Sequence, residues 1–263
     1  MLLVIDVGNT QTVVGLYENV DGEPRSADQG LVEHWRIATH ANRTADEHAV
    51  LLWGFLVQQG IAWDRDLDGV AISSVVPRVT TDMRDLVLRY LKLEPVVLEP
   101  GVKTGVSILY ENPQEVGADR IANAAAAYDL FGGPTIMVDL GTATTCDAIS
   151  ADGEYLGGAI TPGIEISMGA LFERAAALRQ VELADPGPVL GKSTSASLRS
   201  GVVYGYAGLL DGMVGRIEED LGECTVVATG GLAELIVPHA ESVDHIEPWL
   251  TLHGLRLVHA MNT

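Results

Sequence analysis

At 263 residues the chain is one large domain or two ordinary ones, and its 47% hydrophobic and 20% charged residues describe a globular protein, not a disordered one. No apolar run approaches the roughly 18 residues of a membrane helix, so no membrane segment is expected. Sixteen basic residues against 36 acidic ones leave a charge of −20, which repels nucleic acid and anionic lipid; an anionic substrate then needs a local pocket of backbone N–H groups, arginines or a metal ion.

The chain opens on Met1-Leu2-Leu3-Val4-Ile5-Asp6, with no basic segment ahead of the apolar run. That is not a signal peptide, and a cytoplasmic protein is expected. Leu2 to Val7 reads as a strand, Gly8-Asn9-Thr10 as a turn and Thr12 to Tyr17 as a returning strand, together a hairpin. Glu18 to Gly30 reads as a loop and Leu31 to Ala38 as a further strand. Thr44-Ala45-Asp46-Glu47 has the spacing of a capping box, with Thr44 as N-cap and Glu47 at N3, and opens a helix through Leu51, Leu52, Phe55 and Leu56. Gly69 to Val76 predicts a strand halted by Pro77. Thr80 to Leu91 predicts a second helix and Pro95 to Leu98 a short strand.

Gly117 to Phe131 reads as a helix rich in alanine, suited to close packing against another element or a symmetry mate. After it the opening pattern returns. Thr135 to Leu140 is a strand bearing Asp139, Gly141-Thr142 a turn, and Ala143 to Ile149 a second strand. The recurrence predicts two hairpins of matching spacing and two like-folded halves. Arg174 and Arg179 fall on a helix after Gly169. Gly201 to Leu221 predicts a long helix, Thr225 to Thr229 a strand, and Gly230-Gly231 the turn into a further helix. Cys146 and Cys224 fit no disulfide framework, and the seven histidines show no zinc spacing.

Each Asp-bearing hairpin suits a phosphate. Glycine admits a close ligand, and consecutive turn N–H groups form an anion-binding concavity. Thr10 and Thr142 add hydroxyls, and Asp6 and Asp139 can hold a cation that offsets the phosphate charge. A lone hairpin of this kind is also an ordinary turn; two of them, with Ala228-Thr229-Gly230-Gly231 after a later strand, favour a nucleotide site. Gly191-Lys192-Ser193 looks like the tail of a P-loop, but Pro186 stands where the first glycine belongs. Asp119 and Arg120 read equally well as a helix cap with a surface arginine or as a base beside an anion-gripping guanidinium.

Two phosphate hairpins and a Gly-Gly adenosine turn resemble the actin-like architecture of sugar kinases and heat-shock ATPases. Within it the sequence resembles the type III pantothenate kinases over nearly the whole chain. The resemblance rests on Asp6-Val7-Gly8-Asn9-Thr10, Ser73-Ser74-Val75-Val76-Pro77, Gly117-Ala118-Asp119-Arg120, Asp139-Leu140-Gly141-Thr142-Ala143 and Gly158-Ala159-Ile160-Thr161-Pro162-Gly163. Gly191-Lys192-Ser193-Thr194 with Ser200-Gly201 also fits. The resemblance implies an α/β, actin-like ATPase fold of two duplicated ribonuclease-H-like halves, residues 1–116 and 117–263, with a nucleotide cleft between them. It implies phosphorylation of pantothenate by ATP, the first step of coenzyme A synthesis, in a cytoplasmic homodimer. Asp6, Val7, Gly8, Asn9, Thr10, Gln11, Thr12 and Val13 would line the ATP phosphates, with Thr142 contacting ATP from the second hairpin. Asp119 would be the general base, and Tyr110, Gly117, Ala118, Asp119, Arg120 and Thr194 would hold pantothenate. Asp139 would bind a monovalent cation, potassium or ammonium, and Asp6 magnesium. The competing readings are an actin-like phosphohydrolase or ATPase and a non-catalytic transcriptional accessory protein. The absence of any basic helix disfavours direct DNA binding.

Overall fold

The computed structural model describes residues 1–18, 26–175 and 178–263 and contains two units, Met1–Leu130 with Trp249–Thr263, and Phe131–Pro248. Residues 19–25 of the expected loop lie outside the described residues. The division falls after Leu130, whereas the expected halves meet at 116 and 117, and the last helix joins the first unit.

In the first unit, β1 (Leu2–Val7), β2 (Gln11–Tyr17), β3 (Leu31–Ala38), β4 (Gly69–Ser74) and β5 (Val96–Val97) form a sheet in the order β3-β2-β1-β4-β5. The hairpin β1–β2 and its neighbour β3 are antiparallel, whereas β4 and β5 run parallel to β1. Side chains alternate across a strand. Leu3, Ile5 and Val7 therefore share one face, where they pack with Leu52 and Leu56 of α1 (Ala45–Gln58) and Met83 and Leu86 of α2 (Pro77–Leu86). Each side chain buried this fully contributes about 1.5–3 kcal/mol. Asp6, between them in sequence, points to the opposite face.

The capping box forms as read: Thr44 Oγ1 accepts the Glu47 N–H, and Glu47 Oε2 accepts the Thr44 N–H at 2.8 Å. Pro77 does more than halt β4. Its fixed φ suits the first helical position, so α2 starts at Pro77, ahead of the expected Thr80. It then runs into a π turn, Val87–Leu91, closed by Lys92 at φ 60.

The other face of the sheet is covered by α7 (Leu250–Asn262), which the sequence reading did not anticipate, and α7 in turn packs on α3 (Ala118–Phe131). Two glycines admit it. A Cβ on Gly15 of β2 would lie 2.8 Å from Leu252 Cδ1, and one on Gly254 would run into the Ala122 carbonyl. Thr251 Oγ1 donates to Asn123 Oδ1 at 2.7 Å, and His253 Nε2 pairs with Asp129 Oδ2 at 2.9 Å. Ala122, Ala124, Ala126 and Ala127 of α3 are 0% exposed, so the alanine face of this small-residue helix is packed within the chain. A two-residue strand, β6 (Ser107–Ile108), precedes α3.

The second unit repeats the first strand for strand. β7 (Thr135–Leu140), β8 (Ala143–Ile149), β9 (Glu154–Pro162), β10 (Thr225–Thr229) and β11 (His245–Ile246) lie in the order β11-β10-β7-β8-β9. Again the first three strands are antiparallel and the last two parallel. Ile136, Val138 and Leu140 pack with α4 (Ile164–Arg174) and α5 (Thr194–Leu221), leaving Asp139 on the opposite face as Asp6 is. The two turns differ in length. Val7 pairs with Thr12 but Leu140 with Thr144, so the second turn is one residue shorter and Thr142 stands where Asn9 does, not Thr10. Three further differences from the sequence reading stand out. β9 is a full strand, α5 opens at Thr194 rather than Gly201 with Ser193 as its cap, and α4 ends at Arg174, so Arg179 lies beyond it. The Gly230-Gly231 turn leads into the short α6 (Ala233–Ile236) as expected.

Candidate active site

Strand pairing sets Asp6 between Val13 of β2 and Ser73 of β4. The turn beyond it is closed by the Gly8 N–H, which donates to the Gln11 carbonyl at 3.0 Å. Asn9, Thr10 and Gln11 are exposed and present the turn outward. Thr12 is not: it is 0% exposed and its Oγ1 lies 2.8 Å from Thr39 Oγ1, while the Thr39 N–H donates to the Thr10 carbonyl at 2.9 Å. Thr12 therefore holds the turn in place from beneath.

The same unit brings Asp119 to this turn. The Val75 N–H, just past β4, donates to the Val7 carbonyl at 3.0 Å. A Cβ on Gly117 would lie 3.8 Å from Val75 Cγ1 and 2.5 Å from Asp119 Oδ1. A side chain on Gly117 would thus displace the Asp119 carboxylate. Asp119 sits in the first turn of α3, where free N–H groups and the helix dipole favour a negative charge, and its Oδ1 accepts the Arg120 N–H at 2.8 Å. Arg120 is only 9% exposed, which removes the surface-arginine reading. A cavity of ≈ 540 Å³ borders the same helix start, walled by Leu98, Val102, Val106, Val116, Ala118 and Ile121 among others. Tyr110 lies half-buried in the segment leading to α3 and does not line the cavity.

In the second unit Asp139 pairs with Thr145 of β8 and Thr229 of β10, the positions of Val13 and Ser73 in the first. Glycines surround its carboxylate. A Cβ on Gly141 would lie 3.3 Å from Asp139 Oδ1, and one on Gly230, at φ +94, 2.7 Å from the same oxygen. Both glycines thus pack directly against the Asp139 carboxylate. Thr142 is exposed at the turn, and its carbonyl accepts the Gly163 N–H at 3.2 Å. Thr194 is exposed at the start of α5. Gly191-Lys192-Ser193 follows no strand among the described residues, and a Cβ on Gly191 would run into the Ser197 N–H, so it is a helix entry and not a P-loop.

Comparison with known families settles what kind of protein carries these elements. The chain matches the type III pantothenate kinase family over residues 2–216. It belongs to that family. Type III pantothenate kinases of Streptomyces avermitilis and Thermobifida fusca are 53% and 51% identical to it, covering 100% of this chain and 98% and 100% of theirs. Among solved structures, a ROK family glucokinase from Streptomyces griseus in complex with glucose and AMPPNP aligns with a TM-score of 0.51 at 13% identity, covering 97% of each chain. A protein from Campylobacter jejuni, described as a candidate Baf family transcriptional activator, aligns with a TM-score of 0.58 at 18% identity over 99% of this chain and 98% of that one. These likenesses establish the actin-like sugar-kinase fold. The family member described here is a kinase, and its family uses ATP with a divalent metal. Among the described residues no helix is long and apolar enough to cross a membrane.

The sequence singled out Asp6, Asp119 and Asp139 but not the contacts that position them. The contact that seats Gly117 on Val75 and the approach of Gly230 to Asp139 both join residues far apart in sequence. The Ser73-Ser74-Val75 run was visible as a motif without its purpose.

Proposed function

We propose that this chain transfers the γ-phosphoryl group of ATP to pantothenate, giving 4'-phosphopantothenate, the first step of coenzyme A synthesis. The observation that carries the reading is the seating of Asp119 at the phosphate turn through Val7, Val75 and Gly117. Phosphoryl transfer asks for positioning, charge neutralisation and a base near the attacking hydroxyl. In this reading the backbone of Asp6 to Val13 holds the phosphates, Thr142 adds a contact, and Asp119 accepts the proton of the pantothenate hydroxyl. Magnesium at Asp6, when bound, supplies neutralising charge to the phosphates. Arg120 grips the pantothenate carboxylate, and Tyr110, Gly117, Ala118 and Thr194 complete its site. The cavity beside Ala118 gives room for a substrate next to the base.

Asp139 holds a potassium or ammonium ion, an assignment supported by the glycines packed against its carboxylate. The protein works in the cytoplasm as a homodimer. Exposed Ile160, Ile166 and Leu171 offer a second copy apolar side chains, where the alanines of α3 are buried. Sedimentation at micromolar concentration checks this, and a fully active monomer refutes it. The decisive experiment for the activity is ADP release by wild type and Asp119→Asn, with and without pantothenate. Loss of a general base costs about 10²–10⁴-fold. Turnover independent of pantothenate would mean an ATPase, and near wild-type kcat in the variant would remove Asp119 from the base role.

A further inference from the structure

We infer that Arg36 binds the terminal phosphates of the nucleoside triphosphate, an inference that rests on the kinase reading above. Strand register places it there. Ser73, Asp6, Val13 and Arg36 are cross-strand partners in one row over β4, β1, β2 and β3. Residues in one row point to one face of a sheet, here the face away from α1 and α2. With strands about 4.8 Å apart, the Arg36 backbone starts roughly 10 Å from that of Asp6. Its side chain then leans toward the turn: Nη1 donates to Gln11 Oε1 at 3.0 Å, where the Gly8–Gln11 turn enters β2.

Among the described residues Arg36 holds no acidic partner that an incoming anion would have to displace. Arg65, Arg84 and Arg89 each lie within 4.0 Å of a carboxylate, on Asp64, Glu99 and Asp46, whereas Arg36, like Arg78, Arg199 and Arg216, bonds a neutral oxygen. Among the described residues no carboxylate pairs with Arg36, whose side chain is exposed and bonded to a neutral amide. The chain has 36 acidic residues to 16 basic ones, so this is no shortage of acids. A guanidinium carries five N–H donors in a fork that fits two phosphate oxygens, and Gln11 engages one nitrogen while steadying the plane. The turn itself offers backbone N–H groups, which carry partial charges only. Arg36 adds a full positive charge at the turn. Pantothenate carries a carboxylate too, but Arg120 on α3 lies beside Asp119, whereas Arg36 flanks the turn from the edge strand.

The test compares wild type, Arg36→Gln, Arg36→Lys and the surface control Arg65→Gln. Calorimetric titration with magnesium-ATP and with adenosine separates phosphate contacts from base contacts, and steady-state kinetics give KM for ATP and for pantothenate. A hydrogen-bonded charge removed from an anion costs roughly 10–100-fold in affinity. Arg36→Gln is expected to weaken ATP binding by that factor and leave adenosine binding unchanged. Arg36→Lys should fall between, and Arg65→Gln should match wild type. ATP affinity within threefold of wild type in Arg36→Gln, an equal loss for adenosine, or a rise confined to KM for pantothenate would each overturn the inference. Wild type without pantothenate-dependent ADP release would defeat the kinase reading instead, and the ATP-against-adenosine comparison would still decide Arg36.

Discussion

Gly117→Ala isolates the position of the Asp119 carboxylate from its chemistry. The added methyl would sit 2.5 Å from Asp119 Oδ1, where ordinary contact begins at 3.4 Å, so the carboxylate must withdraw by about 0.9 Å. Its next neighbour, Val75 Cγ1, is 3.8 Å away and demands nothing. The strain therefore falls on one side chain, which leaves its preferred rotamer at about 0.5–1.5 kcal/mol. That corresponds to a melting-point loss of roughly 6 °C at most in a chain of this size. Catalysis is less forgiving, because a misplacement of about 1 Å at a reacting group costs on the order of 100-fold. Pantothenate-dependent ADP release, run beside thermal melting by circular dichroism, reads both quantities. The expected result is kcat down about 100-fold, KM for ATP unchanged and a small melting shift. A kcat within threefold of wild type would refute the placement of Asp119. So would a melting loss large enough to account for the missing activity.

Gly230→Ala should act on stability instead, since its Cβ would meet Leu140 backbone at 2.6 Å as well as Asp139, at a φ of +94. The left-handed backbone costs roughly 1–2 kcal/mol and the overpacking about 1–3, so melting should fall by at least about 4 °C; an unchanged melt would show that the turn yields freely. Wild type in magnesium should turn over faster with potassium than with sodium, and Asp139→Asn should lose that difference; equal wild-type rates in the two salts refute the cation assignment. Burial lowers the pKa of both His48 and His259 below the ordinary 6.5. The unfolded chain therefore takes up protons first as pH falls, so stability is level above about pH 6.5 and declines below it. Urea midpoints at pH 7.5 and 5.5 should differ, and less so in His259→Asn; identical midpoints in wild type would contradict the burial argument.

What was legible in the sequence is what short-range chemistry dictates. Thr44 and Glu47 cap α1 through their own backbones, and the β1–β2 and β7–β8 hairpins close over a few residues, so their spacing alone reveals them. Asp6 and Asp139 were visible because each interrupts an otherwise apolar strand. Hidden were the features fixed by distant partners. β9 contains Gly157 and Gly158 and alternates weakly, yet it pairs along the whole of β8, where Cys146 and Asp147 leave no space for a Cβ at Gly158. The turn lengths also escaped, since Asp-x-Gly reads alike in both copies while the pairing register differs by one. Arg36 carried no signal at all, because its meaning comes from the row it shares with Asp6.

The helix α7 gives the chain a particular order of assembly. The second unit is one uninterrupted stretch, Phe131–Pro248, and can fold as soon as it has left the ribosome. The first unit is begun earlier but finished later, because one face of its sheet waits for Leu252, Leu255 and Val258, all buried in the native protein. At about 5–20 residues per second, synthesis of the intervening stretch takes on the order of 10 s. Throughout that interval Val4 and Ala71, 0% exposed in the finished protein, lack their cover. The N-terminal sheet of the nascent chain thus keeps an uncovered apolar face until α7 is made. A stop codon that removes α7 would trap it there, with the phosphate hairpin already translated and its supporting layer never made.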